Sequence, residues 1–268
     1  MPRPPRRTED ALHAPSDLLW ATDLGRAFGE YGLLSLTLGP LLFAAPRGDR
    51  HPVLVLPGLL ASDTSTLTLR TYLSYLGYDV AGWELGRNVG PTPTVVDGLL
   101  ARLDALVGRR GLPASVIGWS LGGIFARELA RQRPESVRQV VTLGSPFRME
   151  HPDQAPAYRT YEVFAHLHVA PDELPPPERT RPPLPCPTTA VYSRWDGLVS
   201  WKTCVEEPGA GRENVAVWSS HLGYGHHPAV LWLVADRLRQ AEGGWTPFRP
   251  PPLLRPLYPT NGNGAGPS

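Results

Sequence analysis

One short stretch, VIGWSLGG at residues 116–123, restricts the fold more than any other part of the chain. An apolar run leads into Gly118-Trp119-Ser120-Leu121-Gly122, and a run with helical spacing follows. Glycine on both sides of a serine at this spacing suits a turn so tight that strand and helix nearly touch, with the serine side chain pushed outward. A strand that ends there and a helix that begins there put Ser120 at the carboxyl edge of an open α/β sheet, where such sheets hold ligands.

The remaining chain alternates as a sheet of this kind requires. PVLVL at 52–56 reads as a strand buried on both faces and ends in Pro57-Gly58. Residues 66–76 carry Leu69, Leu73 and Leu76 at helical spacing ahead of Gly77. Residues 79–83 are extended. Thr92-Pro93 starts a helix with one apolar stripe, Val96, Leu99, Leu100, Leu103 and Val107, that stops at Gly111. Strands are expected at 116–117, 137–143, 188–192 and 215–218, and helices at 121–133 and 228–240. The predicted class is α/β: a mostly parallel central sheet with helices on both faces. No internal repeat is visible.

Residues 1–50 are expected to form a helical N-terminal segment packed on the body of the domain, which runs from 51 to 243. Residues 147–187, with PPPERTRPPLPCP, show no sustained alternation and are too long for a plain connection, so an inserted cap or lid is expected there. Residues 244–268 are rich in Pro and Gly, end in NGNGAGPS, and are expected to be disordered.

Composition narrows the function. Of 268 residues, 41% are hydrophobic and 19% charged, which excludes a disordered or fibrous chain. A formal net charge of +1 gives no electrostatic footing for nucleic acid. Residues 33–45 are apolar but far short of the roughly 20 needed to cross a bilayer. Weak peripheral membrane contact through this N-terminal segment is the membrane association compatible with that length. In MPRPPRRTED an acidic pair follows the basic residues, unlike a secretory signal, so a cytoplasmic protein is expected. Cys186 and Cys204 are the two cysteines, and their spacing leaves a disulfide or two unrelated thiols open. The oligomeric state is not legible.

A serine hydroxyl becomes a useful nucleophile only with a base beside it, itself oriented by a third group. Asp196 lies in Arg194-Trp195-Asp196-Gly197, just past a strand, and His221 lies in Ser219-Ser220-His221-Leu222-Gly223, just past the next. Both therefore reach the sheet edge that carries Ser120, in the chain order Ser, Asp, His. His226 and His227 compete for the base, but they precede Pro228 at a helix N-terminus, where the dipole disfavours imidazolium. His166 and His168 lack a third ligand at metal-binding spacing. An acyl-transfer site also needs two backbone N–H groups for the oxyanion. Leu121, after the serine, offers one, and Leu59, in LPGLLASD at 56–63, offers the other.

From about residue 51 to 240 the chain resembles the α/β-hydrolase superfamily, especially bacterial lipase-like serine esterases. The segments that carry the resemblance are VLVLPGLLASD, VIGWSLGG, VTLGSPF, YSRWDGLVS and SHLGYG. It implies a carboxylic ester hydrolase with catalytic Ser120, Asp196 and His221, oxyanion amides at Leu59 and Leu121, and an acyl-enzyme intermediate. No metal or organic cofactor is implied, and the expected partner is a small-molecule or lipid-like ester. An acyltransferase or thioesterase would use the same triad, and a catalytically silent binding module would keep only its outline. Many lipases have His-Gly where Pro57-Gly58 stands and His where Trp119 stands; both departures bear on triglyceride specificity more than on the triad.

Overall fold

In a computed structural model, which describes residues 14–259, six strands form one wholly parallel sheet in the order β2-β1-β3-β4-β5-β6. They are β1 (Pro52–Leu56), β2 (Asp79–Gly82), β3 (Ala114–Trp119), β4 (Val137–Leu143), β5 (Thr188–Tyr192) and β6 (Arg212–Ala216). In the sheet's centre Val55 pairs with Ile117 and Ile117 with Val141. Successive side chains of a strand point to opposite faces, so these apolar runs feed two cores. Val53, Val55, Ile117, Val141 and Val191 face α1 (Asp17–Ala44), α2 (Leu67–Leu76) and α6 (Pro228–Leu238). Leu54, Leu56, Val116 and Val140 face α3 (Pro93–Arg110) and α4 (Leu121–Gln132).

Local chemistry sets the helix ends. The Thr92 hydroxyl accepts from Val95 N–H at 3.2 Å and Pro93 occupies the first turn of α3, while Gly111 at φ 66° closes it. β6 begins earlier than its apolar residues suggest. Arg212, Glu213 and Asn214 are half-buried on this edge strand, and Glu213 is held by Thr189 and Arg237. Polar residues therefore fit the strand without apolar alternation.

α1 departs from the sequence expectation. It runs from Asp17 to Ala44, and by length and composition it is long and apolar enough to cross a membrane. The charges that interrupt its apolar run in the sequence, Asp23, Arg26 and Glu30, all turn inward onto loops of the domain. Ala27, Leu34 and Leu41 pack inward beside them, leaving Leu18, Trp20, Leu24, Phe28, Leu36 and Phe43 exposed.

The C-terminal segment also differs. Residues 244–259, expected to be disordered, lie against α6: Phe248, Leu254, Leu257 and Tyr258 join its core, and Tyr258 Oη donates to the Ala229 carbonyl at 2.8 Å. Four bulky apolar side chains outweigh the flexible composition around them. Residues 260–268 of that expectation lie outside the described residues, as do residues 1–13 of the N-terminal one. Cys186 and Cys204 are free thiols.

Between β4 and β5 the chain makes one short helix, α5 (Tyr158–Val163), and several single 3₁₀ turns. Arg127 of α4, almost fully buried, reaches Glu178 of this segment and Glu206 beyond β5 at 2.5 Å each, and stacks 4.0 Å over the Phe147 ring. His168 Nε2 meets the Val89 carbonyl at 2.8 Å, and Val169 N–H donates to Pro91 at 2.9 Å. The segment is thus tied down at Phe147, at His168 and Val169, and at Glu178.

Candidate active site

Ser120 joins β3 to α4 with φ 52° and ψ −121°. For a residue with a Cβ this conformation costs about 1–3 kcal/mol and persists only where its surroundings over-determine it. Here Ser120 N–H donates to Leu143 O at 2.8 Å, and Ser120 O accepts from Gly123 N–H at 2.9 Å. The flanking glycines are required by close approach. A Cβ at Gly118 would lie 2.2 Å from Gly122 O, and one at Gly122 would lie 2.5 Å from Leu56 O.

Asp196 and His221 come together from the loops after β5 and β6. His221 Nδ1 donates to Asp196 Oδ2 at 2.7 Å, and Asp196 Oδ1 accepts from Leu198 and Val199 N–H at 2.9 Å each. An ionised carboxylate only accepts, so in the neutral imidazole the proton belongs on Nδ1 and Nε2 keeps its lone pair. Burial opposes protonation of His221, but the Asp196 carboxylate, its hydrogen bond and the charge of Asp23 outweigh it and raise the pKa above 6.5. Ser120 Oγ makes no hydrogen bond to His221 among the described residues. The two are linked through Trp119, whose Nε1 donates to the His221 carbonyl at 3.1 Å.

The other histidines have structural partners. His226 Nε2 meets the Ala27 carbonyl at 2.9 Å, and His227 caps α6 by accepting from Ala229 N–H. Burial lowers the pKa of both, that of His227 to about 4. His166 binds the Val163 carbonyl and His168 the Val89 carbonyl. At the opposite end of the sheet Asp49, His51 and Ser115 form a second acid–histidine–hydroxyl chain, with His51 Nε2 2.8 Å from Ser115 Oγ. Ser115 is fully buried there and accepts from Gln139, so this chain braces neighbouring strands.

The loop after β1 is held open by a residue that the sequence reading missed. Asn88, fully buried, donates from Nδ2 to Pro57 O at 2.8 Å, while its backbone binds Leu60 N–H at 2.7 Å and Ala61 O at 2.8 Å. A lone asparagine in a loop carries no sequence signal of that role. Leu59, inside this bracket, and Leu121, at the head of α4, donate their amides to no acceptor among the described residues. Both line a cavity of about 590 Å³ that Ser120 also lines. Its walls come from α3 and α4 on one side and, in larger part, from the segment between β4 and β5, which adds Met149, Tyr158, Tyr161, Val169 and Leu174 among others. Val163 and Leu167 of the same segment are exposed, and Phe164 is not part of the wall. α5 is short enough to present only one face inward.

The same arrangement of sheet and helices occurs in solved structures. Lipase B of Aspergillus fumigatus superposes with a TM-score of 0.52 at 15% identity, covering 75% of this chain and 55% of that one. One of two metagenome-derived lipolytic enzymes gives 0.52 at 22% identity, covering 72% and 93%. An esterase of Thermogutta terrifontis gives 0.51 at 17%, covering 72% and 91%.

The fold is that of the α/β-hydrolases.

No family model matches the chain. A pimeloyl-[acyl-carrier protein] methyl ester esterase of Aromatoleum aromaticum is 36% identical over a 107-residue alignment that covers 31% of this chain and 43% of that protein. The similarity thus spans less than half of that relative. On the α/β-hydrolase frame, Ser120, Asp196 and His221 sit at the carboxyl ends of β3, β5 and β6, one edge of one sheet.

Proposed function

We propose that the protein is a serine hydrolase of carboxylic esters. The observation that carries this reading is Ser120, held at positive φ in the wall of an apolar cavity on the sheet edge that also bears the His221–Asp196 pair. His221 Nε2 takes the hydroxyl proton as Ser120 Oγ bonds to the ester carbonyl carbon. The oxyanion is met by the Leu59 and Leu121 amides, the latter at the positive end of α4. The tetrahedral intermediate collapses, the C–O bond to the alcohol breaks, and His221 returns the proton to the departing oxygen. Water repeats the sequence on the acyl-enzyme and releases the acid. Asp196 keeps the imidazole in the required tautomer throughout.

The apolar cavity suits an acyl chain rather than a charged one. The partial relative, by its name, cleaves the methyl ester of a carrier-bound acyl group, which supports an ester of a small alcohol here. The test is a series of p-nitrophenyl and methyl esters of rising acyl length with purified protein. Release of acid with no transfer to added alcohols or thiols is expected. Transfer that outpaces hydrolysis would make the protein an acyltransferase, and no turnover of any ester would overturn the reading. Weak contact with a lipid surface belongs to the same proposal, carried by the uncharged outer face of α1, and is checked by co-sedimentation with neutral vesicles.

A further inference from the structure

We infer that Asp23 of α1 is a positioning residue for the catalytic base, stapling the histidine loop to the acid loop from outside the hydrolase body. The inference rests on the triad reading above.

Its carboxylate is buried and accepts three backbone N–H groups from two separate loops. Oδ1 takes Gly197 N–H at 3.0 Å, beside Asp196, and His221 N–H at 2.9 Å; Oδ2 takes Leu222 N–H at 3.0 Å. One group thereby fixes the distance between the backbones that carry acid and base. Contacts on either side reinforce it. Arg26 of α1 reaches the Trp195 carbonyl at 2.6 Å and Asp23 at 3.2 Å. Glu30, two turns on, takes Ser220 N–H at 2.7 Å and the Ser219 and Ser220 hydroxyls at 3.1 Å. The approach is close, since a Cβ at Gly197 would stand 2.3 Å from Leu19 O of α1.

A helix that merely needed docking has its apolar contacts through Ala27, Leu34 and Leu41. Burying carboxylates over catalytic loops adds nothing to docking that apolar side chains would not supply at lower desolvation cost. What they add is direction, because each N–H must meet an oxygen at a set angle. Misplacement of a base by about 1 Å costs on the order of 10² in rate.

Asp23→Asn presents an amide N–H₂ to one of the loop N–H groups and breaks the staple with little change in volume. On a p-nitrophenyl ester, kcat is expected to fall about 100-fold with KM within about twofold of wild type. Leu34→Ala, in the same helix but in its apolar contact with the core, serves as control: it should lower Tm while sparing kcat. A readout that does not depend on turnover is the NMR titration of the His221 ring. Its surroundings are Asp196, Asp23 with Arg26, Glu30 and the edge-on Tyr224 ring, so removing the Asp23 charge should move the midpoint to lower pH. Should Asp23→Asn fail to fold, Glu30→Gln tests the same clamp and should lower kcat several-fold at unchanged KM. Wild-type kcat in Asp23→Asn, or in Glu30→Gln where only that variant folds, overturns the inference. So does a loss in Leu34→Ala that matches Asp23→Asn at equal Tm. If wild type itself hydrolyses no ester, the functional reading fails, and an unmoved His221 midpoint in Asp23→Asn separately overturns the positioning role.

Discussion

Trp119 Nε1 donates to the carbonyl oxygen of His221 at 3.1 Å, so the residue before the strained serine holds the loop of the histidine. The two ends of the proposed proton transfer are therefore coupled through one indole, with no hydrogen bond yet made between Ser120 Oγ and the imidazole. Catalytic hydrogen bonds are often long before substrate binds.

Replacing that indole is the first prediction. Trp119→Phe leaves a buried His221 carbonyl without its donor, at about 1–3 kcal/mol of stability. Turnover is expected to fall more than binding, because the histidine loop loses a fixed point. Melting curves and steady-state kinetics on one ester check both.

The pH profile follows from His221. As the proposed base, His221 must be neutral to accept the Ser120 proton, and its pKa is raised, so activity is expected above that pKa and should be lost as pH falls through it. The acid limb of kcat/KM should lie above 6.5. Asp196→Asn should shift that limb downward and reduce turnover on the order of 10⁴-fold through the wrong tautomer. His226→Ala and His227→Ala should leave the limb in place, since both rings are committed to structural bonds.

Much of the fold was legible in the sequence, for physical reasons. β1 and β3 are covered on both faces and therefore apolar throughout, and Gly118 and Gly122 mark where strand and helix approach too closely for a side chain. What stayed hidden depended on which way a polar residue turns. Asp23, Arg26 and Glu30 are spaced at i, i+3 and i+7, one face of a helix, yet in the sequence they only seem to interrupt an apolar run. Asn88 acts through backbone and side chain at once and leaves no pattern. In the segment between β4 and β5 no periodicity tells which side of the six-residue α5 faces in: Tyr158 and Tyr161 line the cavity while Val163 is exposed.

The residues that line the cavity direct the test of acyl selection. Val169→Ala and Tyr161→Ala enlarge the cavity and should move preference toward longer acyl chains, with each methylene of fit worth about 1–3 kcal/mol. Val163→Ala and Leu167→Ala, on the exposed side, should leave the profile unchanged. Specificity constants across a chain-length series read the difference.

The most direct test of the central claim is covalent labelling of Ser120. Wild-type protein treated with a fluorophosphonate should gain one phosphonyl group, found by mass spectrometry on the peptide that contains Ser120, and lose ester hydrolysis in step. Ser120→Ala should keep its Tm, take up no label, and hydrolyse esters no faster than buffer, since loss of a triad nucleophile removes several orders of magnitude in turnover. Folded Ser120→Ala that still turns over ester well above the uncatalysed rate would contradict the account.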